Sequence, residues 1–364
     1  MDIILSHTTA LEVLRRWDSF RFVESSSATR RPELPGRMPT AREIEPVLAQ
    51  VRALSGATLP VHVLAASSAG RHPSPKVVAH LALPGYPDGS FFSLDPGVFC
   101  STPELVALQM AEYTTDLELL MLVDELCGHY GIQPRSSTGL VKRNTPLTSV
   151  ARISAFLDKV GTARCVAKLR RALSRARDRS GSPQESRSTH RLEFEPIRGG
   201  YGLDVVALND PVAVERSDAL LVGVSKRIRK PDIILLAPGS ETDAPTPFLG
   251  VALDYQGGYH RDEAQEGRDI NRRNELLAAD IKDYEIDKEH YDDVGYLDWL
   301  VSCIRNDLGV PEPRVSARSQ ASWRERRERL CAELAAADGL HWTGRRRGIV
   351  MAGAADFRGK TLPA

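Results

Sequence analysis

Arg229-Lys230-Pro231-Asp232-Ile233-Ile234-Leu235-Leu236 is followed, after a loop rich in proline and acid, by Phe248-Leu249-Gly250-Val251-Ala252-Leu253-Asp254-Tyr255-Gln256-Gly257-Gly258-Tyr259-His260. Each segment contains a short apolar run of strand length. An aspartate opens the first run and another closes the second. A sheet core rejects a bare carboxylate unless something pairs with it. A divalent cation is one partner that holds two carboxylates at once. A charged helix comes next, with Asp269, Arg272 and Arg273.

Upstream, Ser182-Pro183-Gln184-Glu185 fits two patterns. In a capping box, Ser182 is the N-cap, Pro183 opens the first turn and Glu185 reaches back to the cap nitrogen. In the other reading, Glu185 is an active-site glutamate on the first helix of the same domain. Residues 201–208 and 211–215 read as the first strands of that core. A helix over 262–279, a short strand over 284–286 and an amphipathic helix over 294–308 complete it.

The front of the chain has its own periodicity. Residues 2–5 read as a strand. Thr8 or Thr9 caps a helix whose face carries Leu11, Leu14 and Trp17, and Thr40 caps a second helix running through Leu54. A β-rich section spans 61–99. Thr102-Pro103-Glu104 opens a helix, and a buried one follows over 116–128. Helices over 149–160 and 164–177 come last. The second is basic, with Arg164, Lys168, Arg170, Arg171, Arg175 and Arg177. It is either a solvated face or a phosphate-contacting helix. In the tail, Arg318, Arg324, Arg326, Arg327 and Arg329 alternate with Glu325, Glu328 and Glu333, the pattern of a salt-bridged surface helix.

Composition sets the outer limits. A chain of 364 residues suggests two domains. At 42% hydrophobic and 26% charged residues it buries a core, which excludes global disorder. Net charge is zero and argues neither for nor against nucleic acid. The cysteines (Cys100, Cys127, Cys165, Cys303, Cys331) form no Cys-x-x-Cys pair. That argues against a zinc ribbon and suits a reducing cytoplasm. The N-terminal residues lack the pattern of a signal peptide, and no apolar run has the length of a membrane span, so no membrane association is expected. His7, His62, His80, His129, His190, His290 and His341 show no ligand spacing.

The order Pro231-Asp232 … Asp254-Tyr255-Gln256 resembles the Pro-Asp … Asp/Glu-x-Lys signature of the restriction-endonuclease-like superfamily. Acid-x-x-Gly-x-x-His after the strand, then Asp269-x-x-Arg272-Arg273-Asn274, is similar to its very-short-patch-repair-like branch. Glu185 matches that group's helix glutamate. The likeness covers about residues 160–310. The Ser101-Thr102-Pro103-Glu104 helix start and Asp124-Glu125-Leu126-Cys127-Gly128, with the β-rich piece before them, more loosely resemble proteins related to the AbiEi-type antitoxin.

The resemblance implies magnesium, with manganese as a substitute, held by Asp232, Asp254 and Glu185 and by the carbonyl of Tyr255. It implies His260 as general base or water-orienting group. DNA is expected beside Lys168, Arg170, Arg171 and Arg175 of the basic helix and beside Arg272 and Arg273 of the charged one. Gln256 stands where the family has lysine, and glutamine hydrogen-bonds without adding charge. The expectation is an α/β protein: a mixed sheet flanked by helices over 161–310, a smaller mixed α/β and helical region over 1–160, and a basic tail over 311–364. The expected function is metal-dependent DNA cleavage in a defence or toxin–antitoxin setting. The alternative is a catalytically inactive nuclease fold that binds DNA or a partner protein as a regulator.

Overall fold

The computed structural model describes residues 1–16, 32–55, 60–70, 74–83, 85–133, 139–210, 212–217, 224–237, 248–256, 263–313, 316–337, 345–346 and 349–350. The fold is α/β, as expected. The chain forms two compact units, Met1–Asp178 with Ala336–Ala364, and Arg179–Ala335. The boundary therefore falls at 178 rather than 160, and most of the helix expected in the tail belongs to the second unit.

In the first unit, β1 (Ile3–Leu5) leads into α1 (His7–Arg15) and α2 (Ala41–Ser55). Strands β2 (Val61–Ala65), β3 (Val77–Leu81), β4 (Phe91–Asp95) and β5 (Val98–Ser101) follow. They form a five-stranded sheet in the order β3-β2-β1-β5-β4. The helix α1 begins before the expected threonine caps, so Thr8 and Thr9 lie inside it and are buried. Thr40 does cap α2: its hydroxyl accepts from Glu43 N–H at 3.4 Å, and its own N–H donates to Glu43 Oε2 at 2.7 Å.

Next come α3 (Pro103–Met110), α4 (Asp116–Cys127), the hairpin β6 (Tyr130–Ile132) and β7 (Leu140–Lys142), α5 (Val150–Val160) and α6 (Val166–Leu173). Two bonds explain the shifted boundary. Arg177 N–H donates to Asp124 Oδ1 at 2.9 Å, and Val150 N–H donates to Asp178 Oδ1 at 2.9 Å. They tie α5, α6 and the segment after them to α4.

The basic helix has a structural use. Lys168 Nζ donates to the Ala111 carbonyl at 3.0 Å and to that of Thr114, capping the C-terminal end of α3. Carbonyls at a helix end lack intrahelical partners, and a cation there is favourable. Lys168→Met is expected to destabilise the first unit by about 1–2 kcal/mol in urea titration, because two partly buried acceptors lose their donor. An unchanged midpoint would remove this role.

Three histidines converge beneath α1. His62 Nδ1 lies 2.8 Å from His80 Nε2, and Tyr113 Oη lies 2.9 Å from His80 Nδ1. The His7 ring stacks on that of His80 with centroids 3.5 Å apart, and His7 adopts a φ of 50°. Burial pushes the His62 pKa down to about 4. Burial, then the neighbouring imidazoles of His80 and His62, holds His7 well below the ordinary value. Contacts between strands and helices brought these residues together, which linear ligand spacing does not register.

In the second unit, α7 (Pro183–Glu193) precedes β8 (Val205–Leu208), β9 (Val212–Ser217), β10 (Val224–Arg229), β11 (Ile233–Leu236) and β12 (Gly250–Gln256). Then come α8 (Glu263–Ala278), β13 (Ile281–Asp287), α9 (Val294–Asp307) and α10 (Ala317–Ala337). The sheet order is β13-β12-β11-β8. β8, β11 and β12 are antiparallel, and β12 and β13 run parallel across the α8 crossover. Of the segment expected as a second core strand, 211–215, the described residues 212–215 fall in β9. It pairs with β10 in a separate two-stranded sheet instead.

Alternation sorts the sheet residues. Leu208, Ile233, Leu235, Val251, Leu253 and Ile286 pack with Leu297, Leu300, Val301 and Ile304 of α9. On the other face, Ala252 and Ile281 pack with Leu276 of α8. Leu330 and Leu334 of α10 are buried, while Arg324 and Glu328 pair along its surface at 3.3 Å. Gly200 serves packing: a Cβ there would stand 1.9 Å from the Phe194 carbonyl oxygen. Among the described residues, no helix is long and apolar enough to cross a membrane.

Candidate active site

The α8 face of the second sheet gathers carboxylates. Ile233 pairs with Leu253 across β11 and β12, so the next position outward sets Asp232 opposite Asp254. Opposed residues of an antiparallel pair share a face. Asp232 N–H donates to Asp254 Oδ1 at 2.8 Å, and Tyr255 N–H donates to Asp232 Oδ2 at 2.9 Å. Each carboxylate thus closes the end of its neighbour's strand. Across the parallel pair, Glu285 is in register with Asp254 and Asp283 with Ala252, which puts both acids on the same face.

Glu185 reaches the cluster through Asn209. Its N–H donates to Ser182 Oγ at 3.2 Å, the N-cap bond read from the sequence. Its carboxylate does not return to the Ser182 nitrogen. Glu185 Oε2 instead accepts from Gly181 N–H at 2.6 Å and from Asn209 Nδ2 at 2.7 Å. Asn209 N–H in turn donates to the Asp232 carbonyl at 3.2 Å. Tyr291 anchors this helix: its hydroxyl donates to the Gln184 carbonyl at 2.6 Å, and the Arg187 guanidinium lies 5.0 Å from its ring centroid.

Burial and mutual repulsion load the cluster with protons. Burial, then Glu185 and Asp254, pushes Asp232 up to about 8. Burial, then Asp254, raises Asp283 to about 7. Glu185 is raised by burial against the opposing bonds from Gly181 and Asn209. Asp254 is also raised: burial outweighs the Arg272 guanidinium that donates to its Oδ2. Removing water disfavours the charged form, and like charges disfavour it further. Glu185, Asp232, Asp254, Asp283 and Glu285 thus outnumber the arginines beside them, Arg272 and Arg273.

The basic residues expected at DNA have other contacts. Arg272 holds Asp254, and Arg273 holds Glu285 at 2.9 Å. Lys168, Arg170, Arg171 and Arg175 belong to the first unit, whereas the acid cluster belongs to the second. Arg170 pairs with Asp158 at 2.7 Å, and Arg171 turns back to the Ala167 carbonyl at 3.4 Å. Gln256 stands two residues beyond Asp254 on the same strand, in register with Asp287, so it shares the acid face. His260 and the acidic loop 239–247 lie outside the described residues.

Asn209, Asp283 and Glu285 were absent from the sequence-based site. The signal was present in Ile281-Lys282-Asp283-Tyr284-Glu285-Ile286-Asp287, whose acids recur at every second position. Among the described residues, no group of three or more His, Cys, Asp or Glu side chains is arranged to hold a metal ion. Two carboxylates still suffice for magnesium, which keeps several of its waters. No protein-family model, curated protein or solved structure matches the chain.

Proposed function

We propose that the second unit is a metal-dependent phosphodiesterase that cleaves DNA. The observation that carries this reading is the placement of Asp232 and Asp254 opposite each other on one sheet face, within a buried excess of carboxylates. Asp232 and Asp254 would hold magnesium or manganese, and Glu185, bonded to Gly181 N–H and Asn209 Nδ2, would order Asn209 behind them rather than act as a third ligand. When bound, the ion supplies charge stabilisation on the phosphate and activates water. The protein's own residues set its position. Asn209 fixes Glu185, and the reciprocal backbone bonds fix both aspartates. Arg272 pairs with Asp254, and with an ion bound there it would be free to contact the phosphate. Gln256 orients water by hydrogen bonds and takes no proton.

A specific observation favours a second reading. Asp254 is already engaged by Arg272 and by Asp232 N–H. With Gln256 in the lysine position, that suits a catalytically inactive fold that binds DNA or a partner protein as an antitoxin-like regulator. Incubating the purified chain with plasmid and oligonucleotide DNA in magnesium or manganese separates the readings. The enzyme nicks DNA in metal and stops in chelator. If there is neither cleavage nor thermal stabilisation by either metal, the enzyme reading is overturned, since an ion that binds only the folded state must raise its stability.

A further inference from the structure

A pocket lies beyond α9, on the side of the sheet away from the acid cluster. Its volume is about 440 Å³, within the usual range for small-molecule sites. Arg305, Arg324, Arg327, Tyr201 and Trp323 contribute to its walls, and Asp298 and Glu312 line it as well.

Arg305 is the unusual member. It is only 6% exposed, yet among the described residues it forms no ion pair within 4.0 Å. Its guanidinium donates to the Tyr201 carbonyl at 2.5 Å and, at 3.4 Å, to that of Pro311. That guanidinium touches no carboxylate; Glu312 offsets its desolvation only from a distance, and burial keeps its pKa below the ordinary value. The nearby acids are engaged elsewhere. Asp298 Oδ1 accepts from Tyr201 Oη at 2.6 Å and from Arg327 at 2.7 Å, and Glu312 accepts from Ser302 Oγ. Arg324 is matched by Glu328 and Arg327 by Asp298, which leaves Arg305 as the pocket arginine with no carboxylate in contact among the described residues. Arg327 also keeps a buried Nε without a partner.

Apart from these charged residues, two aromatic rings, Tyr201 and Trp323, stand in a wall of proline, aliphatic and uncharged polar residues. The Arg327 guanidinium lies 4.3 Å from the Tyr201 ring centroid and 6.0 Å from that of Trp323. Planar faces of this kind stack on planar ligands, and the forked donors of arginine match carboxylate or phosphate.

We propose that this pocket binds a small organic anion with a planar body, Arg305 and Arg327 taking the carboxylate or phosphate and Trp323 the plane. The site is independent of the acid cluster.

The test is calorimetric titration of the full chain in EDTA, which prevents metal-bridged binding at the acid cluster. The probes are 5′-AMP and benzoate, with adenosine and inorganic phosphate as half-ligands. At least one of 5′-AMP and benzoate binds in the micromolar to low-millimolar range, and which of them is tighter distinguishes phosphate from carboxylate. For 5′-AMP, each half-ligand is weaker by about tenfold or more. Trp323→Ala and Arg305→Lys each weaken the tighter probe by about tenfold or more, with circular dichroism showing both variants folded. Trp323→Ala lies on a half-exposed position, so it remains a test if Arg305→Lys does not fold. The proposal is overturned if neither 5′-AMP nor benzoate binds at about 10 mM, a level weaker than any useful small-ligand site. It is also overturned if Trp323→Ala binds as the parent does.

Discussion

Asp232→Asn is expected to make the second unit more stable and, on the nuclease reading proposed above, to abolish metal-dependent cleavage. At pH 8 in chelator, its unfolding transition rises by about 2 kcal/mol, because asparagine removes a charge that burial and two neighbouring acids oppose. The amide oxygen still accepts from Tyr255 N–H, so no buried donor is orphaned. Magnesium-dependent cleavage falls by about 100-fold or more, since a ligand for charge developing on the phosphate is lost. The contrasting variant is Asp254→Ala. It strips a partner from Arg272 and from Asp232 N–H, so it lowers stability by about 2–4 kcal/mol as well as activity. Differential scanning calorimetry and plasmid nicking on the same preparations check both statements. If Asp232→Asn is less stable than the parent at pH 8, the repulsion argument fails. If it cleaves at the parent rate, the active-site assignment fails.

The second large effect is an opposite response of the two units to acid. His62 has a folded pKa of about 4 against an unfolded value near 6.5. Its contribution to the first unit is complete above the unfolded value. It is lost as pH falls, and the loss is finished once pH has passed the folded value. The loss is about 3 kcal/mol, and the lowered His7 adds to it. In the second unit the sign reverses. Asp232 and Asp283 have folded pKa values raised to about 8 and about 7. Their contribution is complete below the unfolded carboxylate value and is lost as pH rises through 7 to 8. Between pH 8 and pH 4 in chelator, the first transition therefore moves down while the second moves up. Asp232→Asn flattens the second alone, which identifies it. Two transitions moving in the same direction would refute the assignment of either cluster.

At pH 8 the same cluster links stability to cations. A divalent ion held as proposed would relieve the repulsion that protons relieve at lower pH. Magnesium should therefore stabilise the second unit more at pH 8 than at pH 6, since bound protons compete for the same oxygens.

Local physics made much of this protein legible from its residues. Apolar runs at strand length located β11 and β12, and the charged helix between 262 and 279 became α8. Thr40 and Ser182 capped the helices they precede because side-chain oxygens satisfy nearby N–H groups, a short-range effect. The alternation of 281–287 determines that Asp283 and Glu285 share a face, whatever lies opposite.

Tertiary structure decided the partners. The basic pattern of residues 164–177 does not specify that Lys168 closes the end of α3, because that carbonyl lies more than fifty residues away in the chain. Nor does composition specify that Arg272 holds Asp254 rather than a phosphate. The convergence of His7, His62 and His80, and of Glu185 with Asn209, depends on strand order and crossover. Residue type and spacing determine which groups are acids, bases and caps. Only the folded sheet decides which of them meet out of water, and burial is what turns ordinary carboxylates and imidazoles into groups that titrate far from their usual values.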